Sequence, residues 1–309
     1  MIFLLFPIHV HAEESAFSVS PQTASIYSKP DQTLRVDFTL KNLGDPLIFS
    51  YSILPFEPED VKGSLSLKPN MSGIIDFDPS DQAFDEPFLL KTAEAKKISL
   101  QINISPSTPE GDYYFGLVTK TNPAWSGEGN TVSRARLGMV NHILLTVSKN
   151  GQLEIKPAVN LFEIISRYQI TIGKFKIKIN DASDPLQAVL SIQNKGKNRF
   201  LSSGFITVDG LFGSKKYEFK PEEVLAKSGR ILKTGYPSDD PTALSLRIPG
   251  LFFGIYRLST TVTFGSGTPS VFASTWLMVV PLKLMFVLGL FGAIIAFFFL
   301  KMIYKKSVR

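Results

Sequence analysis

Cysteine is absent from this 309-residue chain. That excludes disulfides, thiolate zinc sites, iron–sulfur clusters and a cysteine nucleophile together. Histidine is nearly as scarce. His9, His11 and His142 are too few for a multi-histidine metal centre or a phosphotransfer pair. Serine hydrolase frames are missing too, since neither Gly-x-Ser-x-Gly nor Ser-x-x-Lys occurs. Gly127-Glu128-Gly129 has no third glycine and no helical pattern behind it, so it makes no phosphate-binding loop. Long amphipathic helical patterns are lacking, and only 219–227 has room for a turn or two. A 19 % charged and 44 % hydrophobic composition with 22 Gly and 20 Pro is neither disordered nor collagen-like.

What is present starts with two apolar ends. Residues 1–12, MIFLLFPIHVHA, close on Val10-His11-Ala12 before two glutamates. That reads as a signal peptide, although one lacking a positively charged n-region. At the other end, 284–300 is free of charge and proline, and 282–304 is interrupted only by Lys283 and Lys301. At 1.5 Å per residue the longer stretch reaches about 34 Å, enough for a hydrocarbon core of about 30 Å. The tail, 305–309, is basic and has no acidic residue. By the positive-inside rule it is cytoplasmic, which leaves the body of a single-pass plasma-membrane protein extracellular.

Charge is divided along the chain. Residues 13–150 carry a net −5 and residues 151–281 a net +6, and the last 28 residues hold five more cations. The basic excess is thus membrane-proximal and membrane-flanking. Nucleic acid is not the partner such a split implies.

Between the ends the pattern is that of strands. Val36, Phe38 and Leu40 alternate with charged or polar neighbours, as do Ile98, Leu100, Ile102 and Ile104. Ala188, Leu190 and Ile192 repeat this in the second half, and Tyr256, Leu258, Val262 and Phe264 share another face. Two short segments recur. Leu40-Lys41-Asn42-Leu43-Gly44 matches Ile192-Gln193-Asn194-Lys195-Gly196, a strand entering an Asn-x-Gly turn that suggests positive φ. Gly111-Asp112-Tyr113-Tyr114-Phe115 matches Gly254-Ile255-Tyr256-Arg257-Leu258, the spacing of a tyrosine corner, with Phe115 and Leu258 where an antibody domain carries its second cysteine. The expected fold is all-β: two tandem immunoglobulin-like β-sandwiches, 13–150 and 151–281, followed by one transmembrane helix, 282–304.

Three clusters are candidates for chemistry. Trp125, Arg134 and Arg136 share a long loop, 121–136, whose aromatic and cationic groups suit a glycan bearing anionic groups. Trp125 could equally cap the end of the sandwich. Lys174, Lys176 and Lys178 line one strand face and suit an anionic wall polymer or lipid headgroups, or simply protect a sheet edge. Asp76, Asp78 and Asp81 could contribute to a Ca²⁺ site, but their order departs from an EF-hand loop and a solvated acidic loop accounts for them as well. No cofactor is implied. His142 lies in an apolar strand and reads as structural.

Four short segments within 17–147 stand out together: Phe17-Ser18-Val19-Ser20-Pro21, Leu40-Lys41-Asn42, Gly111-Asp112-Tyr113-Tyr114-Phe115-Gly116-Leu117-Val118 and Arg136-Leu137-Gly138-Met139. By these segments and by its layout as a whole, the chain resembles the WxL-interacting proteins of Gram-positive cell surfaces. The resemblance implies a bacterial cell envelope, peptidoglycan binding by the first sandwich and protein binding by the second. The family's paired glycines appear here as Phe115-Gly116, and the second half matches in layout alone. The expected function is non-enzymatic: a membrane-anchored surface protein that recognises cell-wall glycan or a surface protein partner. A membrane-held assembly chaperone or structural subunit of a surface complex is the alternative. A glycan-active enzyme using the acids of 76–86 is a second.

Overall fold

The computed structural model describes residues 16–69, 75–80, 83–122, 137–173, 175–235, 244–251, 253–265 and 268–307. The chain is mostly β and divides into two compact units, 1–59 with 65–154, and 60–64 with 155–309.

Ten strands are described in the first unit. They are β1 (Phe17–Ser20), β2 (Thr23–Ser28), β3 (Gln32–Asn42), β4 (Leu47–Pro58) and β5 (Leu65–Leu67). Then come β6 (Ile75–Pro79), β7 (Phe88–Leu90), β8 (Ala95–Ile104), β9 (Gly111–Asn122) and β10 (Gly138–Val147). One sheet has the order β1-β3-β8-β6, and the other β2-β10-β9-β4-β5 with β7 also on β4. Alternation places the core between them. Phe38 faces Ile98 across β3 and β8, and both pack with Phe49, Leu117 and Ile143 of the other sheet. On the solvent side of β3, Asp37 accepts from Ser99 at 2.7 Å and pairs with Lys97 at 2.8 Å. The Lys97 and Ser99 bonds, with Arg35 beside them, hold the Asp37 carboxyl below the ordinary carboxylate range.

The chain changes sheets between β1 and β2 at the cis Ser20–Pro21 bond. β1 pairs antiparallel with β3, whereas β2 runs parallel to β10. Asn141 of β10, fully buried, fixes the crossing by donating to the carbonyls of Val19 and Pro21 at 3.0 and 2.8 Å. At the start of β9, Tyr113 donates its hydroxyl to the Pro109 carbonyl at 2.8 Å. Phe115 is buried two residues on.

The second unit adds β11 (Pro157–Ile165), β12 (Tyr168–Ile172), β13 (Phe175–Asp181), β14 (Leu186–Asn194), β15 (Phe200–Gly210) and β16 (Gly213–Glu218). It continues with β17 (Glu222–Val224), β18 (Gly229–Ile231), β19 (Leu246–Ile248), β20 (Gly254–Thr263), β21 (Val271–Val280) and the helix α1 (Leu282–Ser307). One sheet runs β11-β14-β18 with β19 also on β14, and the other runs β12-β13-β21-β20-β15-β16, with β17 also on β15. The sheet change recurs, with β13 parallel to β21. Leu190 and Ile192 of one sheet meet Ile206, Leu258 and Leu277 of the other. Residues 222–224 form a strand on β15 where the sequence left room for helix. The reason is pairing, since Phe200 and Val224 lie opposite each other and both are buried.

The recurring Asn-x-Gly segment works differently from the turn the sequence suggests. Neither Gly44 nor Gly196 sits at positive φ. Instead Asn42 and Asn194 are fully buried clamps. Each side-chain oxygen accepts the backbone N–H two residues on, Gly44 at 3.2 Å and Gly196 at 2.9 Å. Asn42 Nδ2 donates to the carbonyls of Asp45, Leu90 and Lys91, and Asn194 Nδ2 to those of Asn198, Val224 and Leu225. The turns they grip also correspond. Ala93 and Lys227 hold φ of 63° and 55°, and Glu94 and Ser228 accept the backbone N–H of their own unit's asparagine. The two units share one hydrogen-bonded device as well as one strand plan.

Candidate functional site

The described residue set contains no cluster of three metal-ligating side chains. Asp76 and Asp78 sit on β6 and point outward, with Ile75 and Phe77 turned into the core between them. Asp81 lies outside the described residues. So do Trp125, Arg134 and Arg136, and so does Lys174. Lys176 lies on β13, and Lys178 pairs with Glu163 of β11. β13 is interior in its sheet, and the edge beyond it is β12. His142 lies against the Phe56 ring at 5.3 Å. A cavity of about 390 Å³ opens between the ends of β2 and β10, bordered by Tyr27, Lys29, Gln32, Thr146 and Leu153. Its lining holds no paired acid and base.

Two other places have the character of functional sites. The first is the origin of α1. Val280 ends β21, Pro281 follows, and the Pro281 carbonyl accepts the first helical bond from Met285 at 2.9 Å. A helix N-terminus leaves its first N–H groups without intrahelical partners. Here Asp181, at the end of β13, supplies one from a hundred residues away, its carboxylate accepting the Lys283 N–H at 2.8 Å. The same carboxylate accepts from the Ser183 N–H and hydroxyl at 2.9 and 2.6 Å. The Lys283 ammonium folds back onto Ser183 and Asp184. Carboxylates at helix N-termini are also favoured by the helix dipole. The start of α1 is thereby tied into the sheet of β13 and β21.

Those bonds lower the Asp181 pKa from 3.8 to about 2, the Ser183 hydroxyl contributing most and the Lys283 N–H next. A carboxyl depressed on folding stabilises the folded state above its unfolded value and ceases to do so below its folded value. The cap should thus be complete above about pH 4 and lost as the pH falls through about 2. Amide exchange of Lys283 in the full chain checks this. Asp181→Ala is expected to lower the protection of that amide by roughly an order of magnitude and to remove the further loss of protection on acidification. Unchanged exchange would mean that Asp181 is no cap.

Beyond the cap, Leu282–Lys301 has a mean hydropathy of 2.4 and none of it is buried. It is the one described helix long and apolar enough to cross a membrane.

The second place is β12. It pairs with β13 on one side and forms the sheet edge on the other. Its five residues, Tyr168-Gln169-Ile170-Thr171-Ile172, carry no charge. Tyr168 and Ile170 are about half exposed and belong to no core cluster. Natural edge strands are usually guarded by charge, proline or a bulge. The opposite edge follows that rule with Lys215, Lys216 and Glu218 on β16. β2 is likewise an uncharged edge, but its Ala24 and Ile26 turn into the first unit's core.

Sequence reasoning did not find Asp181, since a cap contributed by another strand leaves no local pattern. It placed lysines on β13 but did not single out the uncharged strand before it.

No known family model matches the chain, and no curated protein matches it. Solved structures do. The class 5 fimbriae chaperone CfaA is 10 % identical, over 86 % of this chain and 100 % of that one, with a TM-score of 0.40. The CsuC–CsuE chaperone–tip adhesion subunit complex of Acinetobacter baumannii gives 13 % identity, over 86 % and 100 %, with a TM-score of 0.39. A PapD-like domain of human CEP192 gives 14 %, over 48 % and 95 %, with a TM-score of 0.31.

Proposed function

We propose that this chain is a single-pass membrane protein without catalysis of its own, whose two units are tandem immunoglobulin-like sandwiches that hold or assemble a protein partner outside the cell. The parallel return of β2 beside β10 and of β13 beside β21 supports the immunoglobulin-like assignment. The exposed apolar α1 and its basic tail support the anchor and its orientation. The observation that carries the partner assignment is β12. An uncharged, half-exposed edge offers backbone N–H and C=O groups to an incoming extended segment, with Tyr168 and Ile170 to grip alternate side chains. This is the assembly or structural-subunit reading.

A photoreactive benzoylphenylalanine at Thr171, in the full chain within the membranes of the cell that makes it, tests the proposal. A discrete protein adduct is expected, lost when Ile170→Lys is added and absent for the same probe at Lys195. No adduct at Thr171 would overturn the edge assignment. The wall-glycan reading is what the resemblance to WxL-interacting proteins implies, and Trp125, Arg134 and Arg136 are the residues whose chemistry suits a glycan. Retention of the full chain on purified peptidoglycan, lost in Trp125→Ala/Arg134→Ala, would favour it instead.

A further inference from the structure

Turns of a soluble sandwich are ordinarily polar, because their backbone groups and side chains face water. Two places in the second unit are not. Gly210-Leu211-Phe212-Gly213 joins β15 to β16, and Leu251 and Phe253 stand just before β20. Leu211, Phe212, Phe253 and Ile255 are 78, 67, 62 and 59 % exposed. They form one patch. The Phe212 and Phe253 rings meet edge-on at 6.3 Å, and Leu211 lies over Gly254, its Cδ1 3.4 Å from where a Cβ would stand.

The register fixes where that patch is. Gly254 pairs with Val279 and Ile255 with Met278. Val279 is three residues before Leu282, where α1 begins. The patch is therefore at the end of the sandwich from which the apolar helix leaves, two strands across the sheet in the order β21-β20-β15. Asp181 and the Lys283 contacts bind the helix start to this sheet. When the helix enters a bilayer, the strand ends beside it are brought to the same surface. Exposed Leu and Phe at such a level enter the interface between headgroups and acyl chains favourably.

We infer that Leu211, Phe212, Phe253 and Ile255 form a lipid-contact surface that seats the second unit on the outer leaflet of the bilayer crossed by α1. This rests on the reading of α1 as a membrane anchor. The occupant is the lipid interface, argued from the patch's continuity with the exposed helix. A protein partner at the patch is the outcome the test would expose.

The absence of cysteine makes the test direct. Single cysteines at Leu211 and, in a second variant, Phe212 are labelled with a nitrobenzoxadiazole dye in the full chain. The protein is reconstituted in phosphatidylcholine liposomes with and without doxyl-labelled lipid. Leu290→Cys in α1 reports the anchor. Leu201→Cys at the far end of β15, an exposed apolar site, controls for the dye's own affinity for lipid. Quenching at Leu211 and Phe212 at least about twofold above that at Leu201 is the expected result. Quenching at Leu290 with none above control at Leu211 and Phe212 would overturn the lipid surface, keep the anchor and leave the patch to a protein. No quenching at Leu290 would overturn the anchor and the lipid surface with it.

Discussion

Asn194→Leu is expected to destabilise the second unit by about 3–5 kcal/mol, one of the largest effects available to a single polar substitution here. Leucine is close to asparagine in size, so little cavity forms. What is lost is hydrogen bonding inside a fully buried site: the Gly196 N–H loses its acceptor, and the carbonyls of Asn198, Val224 and Leu225 lose their shared donor. Each buried bond lost costs about 1–3 kcal/mol where nothing replaces it, and of the three carbonyls that of Leu225 keeps the Ser228 N–H and hydroxyl. Asn42→Leu should behave alike, through Gly44, Asp45, Leu90 and Lys91. Urea unfolding reads the loss. Amide exchange locates it, with protection falling along β3 and β8 for Asn42→Leu and along β14 and β17 for Asn194→Leu. A loss under about 1 kcal/mol would show that water or neighbours take over the clamp.

The second large effect concerns Arg199, whose side chain is 1 % exposed with Glu223 at 3.7 Å. Breaking a buried ion pair from one side leaves a charge out of water and typically costs about 3–5 kcal/mol. Glu223 is about one-third exposed, so Glu223→Leu should fall near the lower end, about 3 kcal/mol. The double variant Arg199→Leu/Glu223→Leu should recover most of that, because well-packed apolar groups often match or exceed a buried pair. The first unit offers a natural comparison. At the 152-residue offset that aligns Asn42 with Asn194, Leu47 stands where Arg199 does, and it too is buried. A double variant as unstable as Glu223→Leu alone would mean that the arginine holds its surroundings by contacts other than the pair. Equilibrium denaturation of the four members of the cycle decides it.

Strands were legible in this sequence because a strand's side chains alternate between a wet and a dry face. Phe38, Leu40, Ile98 and Leu100 were assigned inward by period alone, and all four are essentially inaccessible. The apolar helix was equally plain, since seventeen uncharged residues in a row admit few other structures. The repeat of Asn42 in Asn194 was visible as spelling, but its meaning was not. The sequence suggested a turn needing positive φ, whereas the asparagines reach carbonyls 30 to 49 residues away. The loop holding Trp125, Arg134 and Arg136 was chosen for its length and composition and lies outside the described residues.

Local periodicity and composition therefore determined the β architecture and the apolar helix, because each is written in neighbouring residues. Tertiary structure decided the rest. Which strand became an unguarded edge depended on sheet order, and β12 took that place although Lys174, Lys176 and Lys178 follow it directly in sequence. Which carboxylate capped α1 depended on β13 ending beside β21, which brought Asp181 to Lys283. Which apolar residues shared an end with the helix depended on the pairing of Gly254 with Val279. Edges, caps and shared ends are properties of pairs distant in the chain, and only strand register makes them neighbours.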